Sequence, residues 1–337
     1  MEKQAAKMLW SRSIAKYKFR YTNMVCDGDS KSHLEVWNTY AICDLCAHYE
    51  PMNKNSPEYQ AWMKTEEYKK WVTDHELGDT SCKRVNKLDS IGHVQKRMGK
   101  NLLNLTKEKK LKDGKPVGGR SGRLTRSAVD KLQKYYGKAI RRNVDKKAKT
   151  RAEVDTVVSN MQTSIRAILY HSTKMANSNE RHKYCPKGSD SWCLYQKDLS
   201  SDSNVKTFED KDHHLVSVFL DFLTPVFDKL SETRLLMRCV PGYSQNANES
   251  VNAMVWNRCP KHRNKAFISV DTAAGSATIA FNSGAQGCHP VMKDLDISPG
   301  KVTKAGSIRK DKKESNNPSK EMTKNSKMPG PKCVMQN

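Results

Sequence analysis

The apolar residues between positions 126 and 171 recur at helical spacing, and this pattern constrains the fold more than any other feature of the chain. The segments "SAVDKLQKYYGKAIRR" and "DTVVSNMQTSIRAILYH" each place their apolar side chains on one face. The two faces consist of Val129, Leu132, Tyr136, Ala139 and Ile140, and of Val157, Met161, Ile165, Ile168 and Leu169. The pattern predicts two amphipathic helices within a mostly α-helical domain.

Most of the net charge of +24 lies in or near this region. Residues 95–151 contain 20 Lys and Arg against 4 Asp and Glu, and residues 301–337 contain 10 against 3. A basic block within an ordered region, together with a basic tail, is typical of proteins that bind nucleic acid. The alternative is a solvated face that only keeps the protein soluble. We expect a nucleic acid as the partner, contacted by Arg120, Arg123, Arg141 and Arg142.

Composition also bears on membranes and redox state. No stretch approaches the roughly 18 consecutive apolar residues of a membrane helix, and the charged, helical start does not resemble a signal peptide. We therefore expect no membrane partner. The ten cysteines are scattered, which favours reduced thiols or metal ligands over disulfides. Residues 298–337 are polar and basic, and the prediction for them is a disordered tail.

Cysteine and histidine form two groups with spacing that suggests zinc. The second group contains His182-x-x-Cys185, with Cys193 and His171 completing four candidate ligands. The first group consists of Cys43, Cys46, His75 and Cys82. It is the weaker of the two, because the spacing of His75 and Cys82 is loose. The alternative for both groups is buried thiols that pack as small apolar side chains.

Three carboxylates are candidates for a Mg²⁺ site, because this ion prefers oxygen ligands. Asp27 and Asp29 follow an apolar run that reads as a strand over residues 19–26, and a second strand is predicted over 84–91. Glu249 opens the predicted helix "NESVNAMVWNRC". The alternatives are an ordinary Asp-Gly turn for the pair and a favourable interaction with the helix dipole for Glu249.

Six blocks of the chain resemble Mutator-like transposases of animal genomes in sequence, order and approximate spacing. They are "YTNMVCDGDSKSH", "LDSIGHVQKRMG", "GRLTRSAVDKLQKYYGKAIRRN", "HKYCPKGSDSWCLYQK", "GYSQNANESVNAMVWNRCPK" and "FNSG". The resemblance implies an α/β fold, a partial RNase H-like (DDE transposase) core interrupted by a mostly α-helical insertion domain. It also implies metal-dependent DNA cleavage and strand transfer, with Mg²⁺ or Mn²⁺ as the cofactor.

The resemblance assigns roles to particular residues. Asp27 would be the second catalytic Asp, with Asp29 the less favoured claimant, and Glu249 would be the third carboxylate. The family's Cys-x-x-His motif falls on Ser90-x-x-His93, where Ser replaces Cys. The partner would be double-stranded DNA at transposon ends, and a second candidate partner is another copy of the chain. The expected location is the nucleus.

The expected domains are a partial core at 1–94 with a Cys-rich insertion at about 38–82, a basic helical insertion domain at 95–242, a return to the core at 243–297 and the tail at 298–337. The family's first catalytic Asp would lie upstream of Met1, so this truncated and rearranged chain is expected to be inactive alone. The alternatives are a non-catalytic DNA-binding protein, stabilised by zinc, and a gene fragment with no role.

Overall fold

The computed structural model describes residues 2–26, 31–49, 51–76, 82–120, 123–201, 208 and 215–315. The chain forms two compact units, Met1–Tyr243 and Ser244–Asn337. The described residues are mostly helical, with one two-stranded parallel sheet. Among the described helices, none combines the length and the apolar character that a bilayer crossing requires.

The small sheet joins β1 (Asn23–Cys26) to β2 (Asn86–Asp89). The register runs from Asn23 opposite Asn86 to Cys26 opposite Asp89. Both strands fall inside the predicted segments but are shorter. The helix predicted over 2–17 is divided into α1 (Glu2–Ser11) and α2 (Ser13–Tyr17). A mixture of helices with a small sheet is thus confirmed, whereas the RNase H-like core stays a prediction.

Residues 38–82 lie between the two strands and are called the Cys-rich module below. Three helices form its described part: α3 (Asp44–Tyr49), α4 (Pro57–Trp62) and α5 (Glu66–Glu76). They enclose a small aromatic core in which Tyr49 and Trp62 stack with ring centroids 3.8 Å apart. The module begins and ends side by side, because the Val85 amide donates to the Trp37 carbonyl at 2.8 Å.

The helical domain follows β2. Its elements are α6 (Ile91–Glu108), α7 (Arg126–Arg142), α8 (Arg151–His171), α9 (Ser178–His182), α10 (Leu194–Leu199), α11 (Phe219–Lys229) and α12 (Thr233–Met237). All ten apolar residues predicted for the faces of α7 and α8 are buried. Thr125 and Thr150 cap the two helices, and Thr150 forms a reciprocal capping box with Glu153. The buried Tyr136 hydroxyl donates to the Leu230 carbonyl at 2.7 Å.

Helices α6 and α7 approach each other closely at two glycines. A methyl group on Gly99 would lie 1.6 Å from Oε1 of Gln133, and one on Gly137 would lie 2.2 Å from Oε1 of Gln95. Each helix thus supplies one glycine and one glutamine to the contact. Any larger residue at either glycine would displace the facing amide.

Helix α11 continues through Pro225, although proline is a residue that commonly breaks a helix. An internal proline costs about 3 kcal/mol. The same helix buries Phe219, Leu223 and Phe227. At about 1.5–3 kcal/mol for each buried side chain, their burial outweighs the cost of the proline.

The second unit contains α13 (Asn246–Arg258), α14 (Phe267–Ser283), α15 (Cys288–Asp294) and α16 (Lys301–Ser315). Its small core is formed by Val255, Cys259, Ala273 and Ala277. Helix α16 differs from the prediction of a disordered tail from residue 298. Its composition is rich in Lys and includes Ala and Arg, which favour helix locally even without an apolar stripe. Residues 316–337 lie outside the described part of the chain.

Candidate metal centres and nucleic-acid interface

The four candidate ligands of the Cys-rich module converge, and they are called the first cluster below. The ligand atoms of Cys43, Cys46, His75 and Cys82 all lie within 4.8 Å of one another. The Cys43 sulfur is 3.3 Å from Nε2 of His75, and the sulfurs of Cys46 and Cys82 are 3.6 Å apart. Zinc–sulfur bonds of about 2.3 Å and zinc–nitrogen bonds of about 2.0–2.1 Å give tetrahedral edges of about 3.6–3.8 Å. The first cluster therefore has nearly the size of a zinc tetrahedron.

Neighbouring groups orient the ligands of the first cluster. Nδ1 of His75 lies 2.9 Å from the Trp71 carbonyl, which can only accept, so Nδ1 carries the proton and Nε2 keeps a free lone pair toward Cys43. The Trp71 indole donates to the Cys46 sulfur at 3.3 Å. Burial raises the pKa of the Cys46 thiol well above its usual range. A bound cation would reverse this effect, since a coordinating thiol is deprotonated.

The second cluster joins the end of α8 to the segment around α9 and α10. Its ligand atoms, from His171, His182, Cys185 and Cys193, also lie within 4.8 Å of one another. The two Nδ1 atoms are 3.1 Å apart, and the Cys193 and Cys185 sulfurs lie 3.2 and 3.8 Å from Nδ1 of His182. These distances between ligand atoms lie on both sides of the edge lengths expected for a zinc tetrahedron.

Hydrogen bonding, burial and one neighbouring arginine affect the protonation of the ligands in the second cluster. The side-chain hydrogen bond between the two thiols lowers the pKa of Cys193 and, with burial, raises that of Cys185, so Cys193 is the first to become a thiolate. Burial lowers the pKa of His182 and favours its neutral form, which is the form that binds metal. Nε of Arg181 faces Nε2 of His182 at 3.1 Å. A metal ion on Nδ1 would leave Nε2 protonated, so the Arg181 side chain would have to turn away from His182.

Both clusters can hold a metal ion, and the convergence predicted for each is confirmed. Each has four protein ligands and leaves no open position in a tetrahedral shell, which is typical of a structural site and not of a catalytic one. The sulfur content differs, with three thiols and one imidazole in the first cluster and two of each in the second.

The described residues do not test the predicted catalytic site. Asp27 and Asp29 lie outside the described residues, directly after Cys26 at the end of β1. Glu249 is exposed in the first turn of α13, in the second unit. His93 is half-buried in the first turn of α6. The roles of these four residues remain expectations from the resemblance.

One buried carboxylate was missed by the sequence analysis. Asp89 ends β2, and its fully buried side chain lies 2.8 Å from Nε of Arg238 and 3.4 Å from Nη2 of Arg97. The sequence feature that could have pointed to Asp89 is a carboxylate near the end of a predicted strand, the same feature that pointed to Asp27. Its partners show a different role, since two guanidinium groups hold this carboxylate between the sheet and the helical domain.

The cations of the basic block are distributed unevenly over the helical domain. Six cations of α7 are exposed. Arg126 pairs with Asp130 at 3.1 Å, and the other five lie along the solvent face of the helix: Lys131, Lys134, Lys138, Arg141 and Arg142. Two predicted DNA contacts, Arg141 and Arg142, belong to this face, and Arg120 is also exposed. Arg123 instead donates to the Pro116 carbonyl and pairs with Asp113 at 3.2 Å, which ties it to the α6–α7 loop.

Comparison with known families supports the resemblance. The family model described as Mutator-like transposase matches residues 72–193. This segment begins in α5 and ends at Cys193, so it includes the whole second cluster and the whole basic block. No curated protein and no solved structure matches the chain. Over residues 72–193, the chain is therefore similar to Mutator-like transposases.

Proposed function

We propose that this chain is a DNA-binding protein of the transposase type, whose helical domain binds duplex DNA and whose two Cys/His clusters hold zinc. The observation that carries the proposal is the solvent face of α7. Five cations lie there within 12 residues, while the opposite face of the helix is buried. Such a row can neutralise phosphates and release condensed counterions. Action on DNA would place the protein in the nucleus.

Zinc supports this role by fixing the domain that presents the cations. His171 is the last residue of α8, which packs against α7, and the other ligands of the second cluster come from the segment after α8. A tetrahedral ion at this point fastens that segment to the helix. The first cluster fastens the Cys-rich module in the same way.

Metal-dependent cleavage enters the proposal only through the resemblance of the sequence blocks, because Asp27 and Glu249 lie outside the matched residues 72–193. The chain alone is expected to be inactive. Asp27 and Glu249 would supply oxygen ligands to Mg²⁺ or Mn²⁺. The variants Asp27→Ala and Glu249→Ala should leave duplex binding unchanged and abolish any Mg²⁺-dependent nicking of supercoiled DNA. If no nicking occurs in the unaltered chain while duplex binding is strong, the alternative of a non-catalytic DNA-binding protein is favoured.

Fluorescence anisotropy with a labelled duplex tests DNA binding. The logarithm of the binding constant should fall linearly with the logarithm of salt concentration, by about 0.9 per phosphate contacted. Glutamine at all five cations of the α7 face should reduce this slope by up to about 4.5. A charge-matched control replaces five exposed lysines outside the basic block, Lys7, Lys16, Lys64, Lys69 and Lys70.

The control variant should keep nearly all of the slope, because its lysines lie in α1, α2 and the Cys-rich module. Equal slopes for the α7 variant and the unaltered chain would show that this face does not contact phosphates. Equal losses in both variants would show that only net charge matters, and the proposed interface would fail.

A further inference from the structure

A groove with a volume of about 950 Å³ runs beside α7 and reaches the end of α8. On the α7 side it is lined by Lys131, Tyr135, Lys138 and Arg142, at positions i, i+4, i+7 and i+11 of the helix. Lys174 and Trp192 contribute to the remaining wall. Basic and aromatic side chains thus alternate along one surface.

The charge in this groove has a single sign. The described residues that line it include five Lys and Arg and no carboxylate. The fifth cation, Arg123, pairs with Asp113 at 3.2 Å and remains at one end of the row. A concave surface with only positive side chains concentrates its field on an anion.

Two aromatic rings in the groove are unusually accessible. Tyr135 is 44% exposed and Trp192 is 39% exposed. Lys138 lies 5.9 Å from the centre of the Tyr135 ring. Accessible rings beside cations are the two parts of a surface that binds unpaired nucleotides, in which bases stack on the rings and phosphates meet the cations.

The second cluster positions Trp192. This residue precedes the ligand Cys193, and its ring meets that of His171 at 69° with centroids 5.0 Å apart. An indole held by a metal centre loses little conformational freedom when a base stacks on it. A metal ion in the second cluster would therefore make Trp192 a preorganised stacking surface.

We propose that this groove binds single-stranded DNA, with phosphates along Lys131, Lys138 and Arg142 and an unpaired base stacked on Trp192 or Tyr135. The choice of DNA rests on the proposed function. A single strand fits better than a duplex because paired bases are covered on both faces by their neighbours. Only an unpaired or terminal base offers a free face to an aromatic side chain.

The test compares a labelled oligo(dT) with a duplex of the same length at one salt concentration. Trp192→Ala should weaken oligo(dT) binding by roughly 5- to 150-fold, because stacking on one aromatic ring contributes that factor. Duplex affinity should stay within about twofold, since no charge is removed. Trp192→Phe should restore most of the affinity. Oligo(dT) should also quench tryptophan fluorescence in the unaltered chain, and this quenching should disappear in Trp192→Phe.

A second variant keeps the test independent of the metal centre. Tyr135 is exposed in α7 and is not itself a cluster ligand, so Tyr135→Ala should fold normally and also weaken oligo(dT) binding. Tyr17→Ala is the matched control, since Tyr17 is 39% exposed in α2 and lies outside the groove.

The outcomes separate this inference from the proposed function. If the unaltered chain binds the duplex but not oligo(dT), or if both alanine variants bind oligo(dT) like the unaltered chain, the groove assignment is overturned and duplex binding stands. If the unaltered chain binds neither ligand, both fail. Selective loss of oligo(dT) binding in the two alanine variants supports the inference.

Discussion

The two clusters lead to a quantitative prediction of metal content and ligand type. Three thiols with one imidazole, and two of each, give an average of 2.5 sulfur and 1.5 nitrogen ligands per zinc ion when both sites are full. Purified protein should therefore contain two zinc ions per chain, and X-ray absorption at the zinc edge should report this average at about 2.3 Å for sulfur and 2.0–2.1 Å for nitrogen.

Single substitutions should shift that average in opposite directions. Cys82→Ser empties the first cluster, so one ion should remain with two sulfur and two nitrogen ligands. Cys193→Ser empties the second, so one ion should remain with three sulfur ligands and one nitrogen. Cys288→Ser is the control, because this cysteine is exposed and outside both clusters, and its metal content should stay at two.

Stability should follow metal content. An ion present at about a thousand times its dissociation constant stabilises the folded state by about 4 kcal/mol, which corresponds to roughly 8–16 °C in melting temperature for a domain of this size. Differential scanning calorimetry of the two site variants should show drops of this order, and Cys288→Ser should show none. Two zinc ions in either site variant, or an absorption spectrum dominated by oxygen, would refute the assignment of the clusters.

Three further substitutions test the helical domain, each by urea unfolding of the full chain. Asp89→Asn removes a buried charge from between two guanidinium groups and should lower the free energy of unfolding by about 2–3 kcal/mol. This loss is somewhat below that for a fully buried pair, because both arginines remain about one-third exposed. The surface control Asp130→Asn should lower it by about 0.5 kcal/mol or less. Equal costs would show that burial of Asp89 is unimportant. Tyr136→Phe leaves the buried Leu230 carbonyl without its donor and should cost about 1–3 kcal/mol, and a loss below 0.5 kcal/mol would argue against that hydrogen bond. Thr150→Ala removes the cap of α8 and should cost about 1 kcal/mol, while Thr150→Ser should restore most of it.

The sequence predicts features that depend on local spacing. The buried faces of α7 and α8 follow from helical periodicity, and the two clusters follow from residue types that ligate metals at short intervals. The pairing of Asp89 with Arg238 joins residues 149 positions apart and has no local signal. The groove could not be predicted from the sequence either, because Trp192 and the α7 residues line one groove only through the folding of the segment after α8. Pro225 is a case in which a local signal is misleading. Proline commonly breaks a helix, but the burial of three side chains of α11 keeps this helix continuous.

The parallel pairing of β1 with β2 has a consequence for the order in which the chain folds. Pairing Cys26 with Asp89 directly closes a loop of about 60 residues, whose entropy cost grows as 1.5 RT times the logarithm of its length. A metal ion that first links Cys43 to Cys82 shortens the effective loop to about 25 residues and lowers this cost by about 0.8 kcal/mol. We expect the Cys-rich module to form before the sheet, and refolding with zinc to be about four times faster than refolding with a chelator, provided that the strand pairing limits the rate.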